Sequence, residues 1–131
     1  MSGITALDEL LSSIKPRLFD AEYVFCSLPG SMDTYLDLAP IATFVEPEGL
    51  TLVLKKADAQ AAGLRFEGSF RQITLTVHSS LAAVGLTAAV ATQLASKGIS
   101  ANVIAAFYHD HIFVPTLEAE AALIALQELS I

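Results

Sequence analysis

The stretch 95–115 constrains this chain more than any other, because it holds a helix stop, two strands and the turn that joins them. Residues 85–97 read as an alanine-rich helix, and Gly98 stops it, since glycine tolerates the left-handed conformation of a helix C-cap. Residues 102–107 and 112–114 are short runs rich in β-branched and aromatic side chains, the composition of strands with a buried face. Between them, Tyr108-His109-Asp110-His111 reads as a polar turn. The economical reading is a hairpin, with two of the chain's three histidines in its turn.

The remaining elements follow in order. Ile4, Leu7, Leu10, Leu11 and Ile14 fall at helical spacing, with Thr5 as N-cap and Asp8 in the first turn; Pro16 ends this helix. Residues 22–28 read as a strand closed by Pro29-Gly30, and residues 31–40 as a polar connection. Residues 41–45 and 50–54 form a second hairpin about Glu46-Pro47-Glu48-Gly49, where proline presets the turn and glycine supplies the positive φ. Residues 55–63 read as a short helix stopped at Gly63. Residues 70–77 alternate, with Ile73, Leu75 and Val77 on one face and Gln72, Thr74 and Thr76 on the other, which predicts a half-buried strand. Ser79 and Ser80 are available as caps for the helix that follows. A last helix opens at Pro115-Thr116, Thr116 capping it, with Leu117, Ala121, Leu123, Ile124 and Leu126 as its core face. Its acids, Glu118, Glu120 and Glu128, read as a solvated face.

Composition narrows the function. The chain has 131 residues, of which 53% are hydrophobic and only 16% charged, and its formal net charge is −7. No basic footprint is visible, which argues against nucleic acid and against an anionic membrane as partners. The N-terminal residues lack the pattern of a signal peptide, and no apolar run reaches membrane-spanning length, so a cytoplasmic protein is expected. The single cysteine, Cys26, lies in an apolar strand-like run and reads as a small hydrophobe. The apolar excess suggests surface buried between subunits.

Laid end to end, the elements read α, β, ββ, α and then β, α, ββ, α, two copies of one small α/β unit. The second copy ends one strand short of a β-α-β-β-α-β unit, so the first copy or a partner chain must supply that edge.

On these residues the chain resembles a known family. The run Gly85-Leu86-Thr87-Ala88-Ala89-Val90, continuing through Leu94-Ala95-Ser96-Lys97-Gly98-Ile99-Ser100 into the strand at 102–107, is similar to the pattern of ACT domains, small-molecule regulatory modules of amino-acid biosynthetic enzymes such as aspartate kinase. Glu48-Gly49-Leu50-Thr51-Leu52-Val53-Leu54 and Tyr108-His109-Asp110-His111-Ile112-Phe113-Val114-Pro115 resemble runs of the small stand-alone bacterial proteins built from two such domains. The resemblance covers about residues 5–129. It implies an α+β fold of two ferredoxin-like βαββαβ units, an antiparallel sheet covered by helices on one face, with residues 1–67 as the first unit and 68–131 as the second.

The resemblance also implies a site. ACT domains bind amino acids at an interface between units, lined by the loop before the first helix and by the start of the second strand. Carried over, this gives Ser79, Ser80, Leu81, Val84, Gly85, Leu86, Asn102 and Val103. The position after Gly-Ile, often asparagine in the family, is Ser100 here. A helix start suits a carboxylate through its free amides and dipole; equally, Gly85 can serve close packing and the serines can be caps. His109 and His111, with His78 as a third ligand, form a candidate metal set. Against it, Asp110 can close the hairpin through its own backbone while the histidines line an edge. No strained nucleophile turn and no phosphate-cradling glycine loop occurs, so catalysis is not expected, nor is a cofactor. The expected function is a non-catalytic, homodimeric regulator that senses an amino acid; the alternative is an interaction module that keeps the fold without a ligand.

Overall fold

The structure, a computed structural model, describes residues 3–76 and 85–130. The elements are α1 (Gly3–Ser13), β1 (Pro16–Leu28), β2 (Ala42–Glu46), β3 (Gly49–Lys55), α2 (Lys56–Ala61), β4 (Phe70–Leu75), α3 (Leu86–Ser96), β5 (Asn102–Ala105), β6 (Asp110–Pro115) and α4 (Ala119–Gln127). Short 3-10 segments stand at Met32–Leu38, Thr116–Glu118 and Glu128–Ser130. This is the order read from the sequence, α+β throughout, and no strand follows α4 among the described residues.

The chain divides into two compact units, one formed by Met1–Asp20 with Arg71–Ile131 and the other by Ala21–Phe70. Strand β1 therefore gives its first five residues to the first unit and the rest to the second.

In the first unit the strand order is β1, β4, β6, β5. Strands β5 and β6 are antiparallel, with Asn102 opposite Phe113 and Ile104 opposite His111. Together β4, α3, β5, β6 and α4 make β-α-β-β-α, and the start of β1 flanks β4 as the fourth strand. The edge that the second sequence copy lacks is thus supplied by the first. Ile73 and Leu75 of β4, Val90 and Leu94 of α3, Ile112 and Val114 of β6 and Leu126 of α4 build the core, closed by Ile14 at the end of α1. Arg71 ties β4 to its neighbours, its Nε donating to the Phe19 carbonyl (3.0 Å), with Asp20 and Glu120 at 3.5 and 3.6 Å from the guanidinium.

In the second unit the order is β2, β3, β1, all antiparallel, with Leu28 opposite Leu50 and Tyr23 opposite Lys55. Val24, Cys26, Leu50, Leu52, Leu54 and Ala59 form its core, so Cys26 is the buried hydrophobe its surroundings suggested, and burial pushes its thiol pKa up. The turn at Gly49 has φ +152°, and a Cβ there would lie 2.9 Å from Ser27 Oγ, so glycine is required by space as well as by conformation.

Several expectations need correction. Helix α1 begins at Gly3, so Thr5 sits inside the first turn rather than capping it; Ile4 already belongs to the helical repeat. Strand β1 starts at Pro16 rather than at 22, because a strand's first residue can do without an amide donor. The connection 31–40 contains a 3-10 helix that ends in the left-handed Ala39.

The 102–114 hairpin turns two residues earlier than expected. The turn is 106–109, closed by the Ala106 amide donating to the His109 carbonyl (3.0 Å), and Asp110 and His111 belong to β6. Asp110 pairs with Ala105 in the ladder instead of closing the turn. Strand β4 alternates but is not half buried: Gln72 and Thr74 are both only 6% exposed. Their polar atoms are satisfied locally, as described below.

The core face of α4 is the largest difference. Leu117 is fully exposed, Ile124 is 58% exposed and Ala121 also faces solvent, while Ala119, Ala122, Ala125 and Leu126 are buried. Helix α3 comes so close that the Gln93 side-chain amide donates to the Ala125 backbone carbonyl (3.0 Å). Alanines on the inner face permit that approach where larger side chains would hold the helices apart. Thr116 lies in the preceding 3-10 turn, and the N-cap position of α4 is Glu118.

Candidate functional site

Helix α3 starts without a side-chain cap, and its N-cap residue Gly85 is left-handed at φ +97°. The Gly85 carbonyl accepts from the Ala89 amide (2.9 Å), so the helix is closed from its first turn. A Cβ at Gly85 would meet Leu7 of α1 at 3.2 Å. Glycine is needed here for its φ, and a Cβ would in addition oblige Leu7 to shift by a few tenths of an ångström. Leu86 is 3% exposed and stands in the core of the first unit. Asn102 is exposed at the start of β5 and donates from Nδ2 to the Phe113 carbonyl (3.2 Å), while Val103 is partly buried against the same core. Ser79, Ser80, Leu81 and Val84 lie outside the described residues, as does His78.

The two remaining histidines have different surroundings. His109 sits in the hairpin turn beside the exposed Phe107 and Tyr108, whose rings meet edge to face at 4.9 Å. His111 points from β6 to Gln72 and Thr74 of β4. Gln72 Nε2 donates to Thr74 Oγ1 (2.9 Å), and His111 Nδ1 lies 2.9 Å from Thr74 Oγ1 and 3.1 Å from Gln72 Nε2. With the ring neutral, Nδ1 accepts from these donors and the proton resides on Nε2. Burial lowers the His111 pKa, His109 pushes the same way and Asp110 opposes both. Among the described residues no three His, Cys, Asp or Glu side chains gather as a metal site.

Two shallow clefts went unread in the sequence. One, of about 320 Å³ in the second unit, is lined by Ala21, Glu22, Lys55, Lys56, Ala57 and Gln60. Its charges partly satisfy one another: Lys56 Nζ is 3.7 Å from Glu22, which also accepts from Ser69 Oγ (2.9 Å). The adjacent lysines were its only sequence signal, in a chain with seven basic residues. The other, of about 280 Å³ in the first unit, lies along α4 among Ile99, Ala121, Ile124 and Ala125, with Lys97, Glu118 and Glu128 at its rim.

No described helix is long and apolar enough to cross a membrane. Among proteins of curated function, none matches this chain. A protein of unknown function from Vibrio cholerae, described as a possible transport protein, is 58% identical over 99% of this chain and 100% of its own, with a TM-score of 0.92. The regulatory subunit of aspartate kinase from Thermus thermophilus, in its ligand-free form, aligns with a TM-score of 0.62 and 16% identity over 89% of this chain and 98% of its own. Aspartate kinase from Clostridium acetobutylicum aligns over 90% of this chain and 34% of its own, with a TM-score of 0.70 and 7% identity. At those identities the two aspartate kinase matches speak for the fold alone. Family models for the ACT domain match residues 2–71 and again residues 67–128. With two such matches in tandem and the ferredoxin-type strand order in the first unit, the chain belongs to the ACT-domain family of regulatory, ligand-binding modules.

Proposed function

We propose that this chain is a non-catalytic regulatory protein of the cytoplasm that senses an amino acid where two ACT units meet, and that it works as a homodimer. The tandem ACT matches carry the reading, since together they run over residues 2–128. Along the sequence the two modules divide at 67/68. A free amino acid is the ligand class because its carboxylate suits the amides at the start of α3, next to Gly85 and preceded in the sequence by residues 79–84, and because Asn102 offers an exposed side-chain amide. Binding biases one arrangement of the units over another by its differential affinity, which is the whole of the allosteric mechanism required.

A second reading, an ACT fold that serves protein interaction without a small ligand, draws on Leu7. That side chain already fills the space beside Gly85 which a ligand would otherwise use. Thermal-shift titration of the full chain against the twenty amino acids separates the two. A ligand at a hundred times its Kd adds about 2.7 kcal/mol to the native state and raises the melting temperature in a dose-dependent way. One responding amino acid, with the response lost in Asn102→Ala, supports the sensor; no response at millimolar concentration supports the second reading.

A further inference from the structure

The outer face of the first unit carries an arrangement that folding does not explain. Helix α4 and the turn before it turn alanines inward at 119, 122 and 125 and leave Leu117 and Ile124 in water, 100% and 58% exposed. Ala121 and Ile124, three residues apart, share the exposed face of α4, and Leu117 stands exposed in the 3-10 turn before it. The small Ala121 in the middle admits close approach, and the cleft beside it, about 280 Å³, has an apolar floor that includes Ile99 and Ala125.

The rim supplies the charge. The Glu118 side chain makes no ion pair or hydrogen bond among the described residues. The rim's one cation, Lys97, is already engaged by Glu128 at 3.6 Å, and Glu128 also accepts from Gln93 Nε2. An apolar stripe with surplus acid at its edge selects a partner of opposite character. A second copy of this chain would bring the same acids to the same rim, against like-charge repulsion in a protein of net charge −7.

We propose that the α4 face is a docking surface for a basic amphipathic helix of another protein, whose apolar side lies over Ala121 and Ile124 and whose lysines or arginines meet Glu118 and Glu128. This assignment does not depend on the identity of the small ligand. It gives a regulatory module a surface through which to act.

The test uses the intact protein and three synthetic helices: one with a leucine stripe flanked by lysines, one of the same composition with the stripe scrambled, and one with glutamates in place of the lysines. The lysine-flanked helix should bind about tenfold or more tighter than either control. Ile124→Asp, at an exposed position, should abolish that binding without changing the circular dichroism or the melting temperature. Glu118→Lys with Glu128→Lys should reverse the preference between the lysine and glutamate helices. Equal binding of the scrambled helix, no binding at all, or binding that survives Ile124→Asp would overturn the proposal. So would sedimentation in which Ile124→Asp splits a dimer, since that outcome assigns the face to a second copy.

Discussion

Strand β4 and helix α4 contribute to the same core and break the simple hydropathy rule in opposite directions. In β4 two polar residues, Gln72 and Thr74, are buried alongside their apolar neighbours. In α4 and the turn before it, two of the largest apolar residues stand in solvent while alanines go inside. The difference lies in what each inversion costs. A buried amide and hydroxyl are tolerated when they satisfy each other, and His111 completes that set. Exposed leucine and isoleucine cost little by themselves, whereas the alanines let α3 and α4 approach within hydrogen-bonding reach of a backbone carbonyl. Burial is thus decided by partners in one element and by size in the other.

The comparison can be broken most forcefully in α4. Leu126→Ala should lose about 2–5 kcal/mol in urea unfolding, as a fully buried leucine does, while Ile124→Ala, two positions away, should stay within about 0.5 kcal/mol. Equal losses would mean that Ile124 is covered in solution.

Next in size is the polar set of β4. Thr74→Val leaves Gln72 and His111 short of a partner and should cost about 1–3 kcal/mol. Replacing all three with Gln72→Leu, Thr74→Val and His111→Leu should recover most of that loss, because no buried polar atom is then stranded. If the triple variant is worse than the single one, the set has a role beyond satisfying itself.

Overpacking probes the alanine face. Ala122→Leu, at a position with no exposure, should cost about 1–3 kcal/mol by pushing α4 off its neighbours, and the same change at the exposed Ala121 should be nearly neutral. Chemical denaturation of the pair measures the contrast directly.

The smallest expected effect is in pH. Because His111 has its pKa lowered by burial in the native state, the unfolded chain takes up the proton first. Its contribution is fully present above the unfolded histidine pKa of about 6.5 and is lost as pH falls through the lower folded value. Melting temperature should decline between pH 7 and pH 5 more steeply in the wild type than in His111→Gln; parallel curves would remove His111 from the account.

Much of this fold was legible in the residues. Helix stops at Gly63 and Gly98, the turn at Gly49 and the order of elements follow from local chemistry, because glycine, proline and β-branched runs act through their own backbone. The strand that completes the first unit was visible only as a gap, since β1 lies far from β4 in sequence. The hairpin turn was misplaced because Asp110 and His111 look like turn residues in isolation, and only the bond from Thr74 to His111 shows why they belong to a strand. The face of α4 was misread because hydrophobic spacing counts Leu117 and Ile124 as core and cannot know how near α3 comes. Of the candidate ligand site, the sequence could mark Gly85 as special, but nothing in its spacing pointed to Leu7.

The membership of β1 in both units has a consequence for how the chain comes off the ribosome. The unit of Ala21–Phe70 is complete as soon as β3, α2 and the residues behind them have been made. Helix α1 is synthesised earlier still, yet α3 and the 128–130 segment, against which it packs, are made after that inner unit. Helix α1 therefore finds its place later than the segment that follows it in the chain, and it stays open to proteases until α3 and the C-terminal residues are made, while that segment is already protected. Pulse proteolysis of chains arrested after Leu75 should cut within α1 and spare β3.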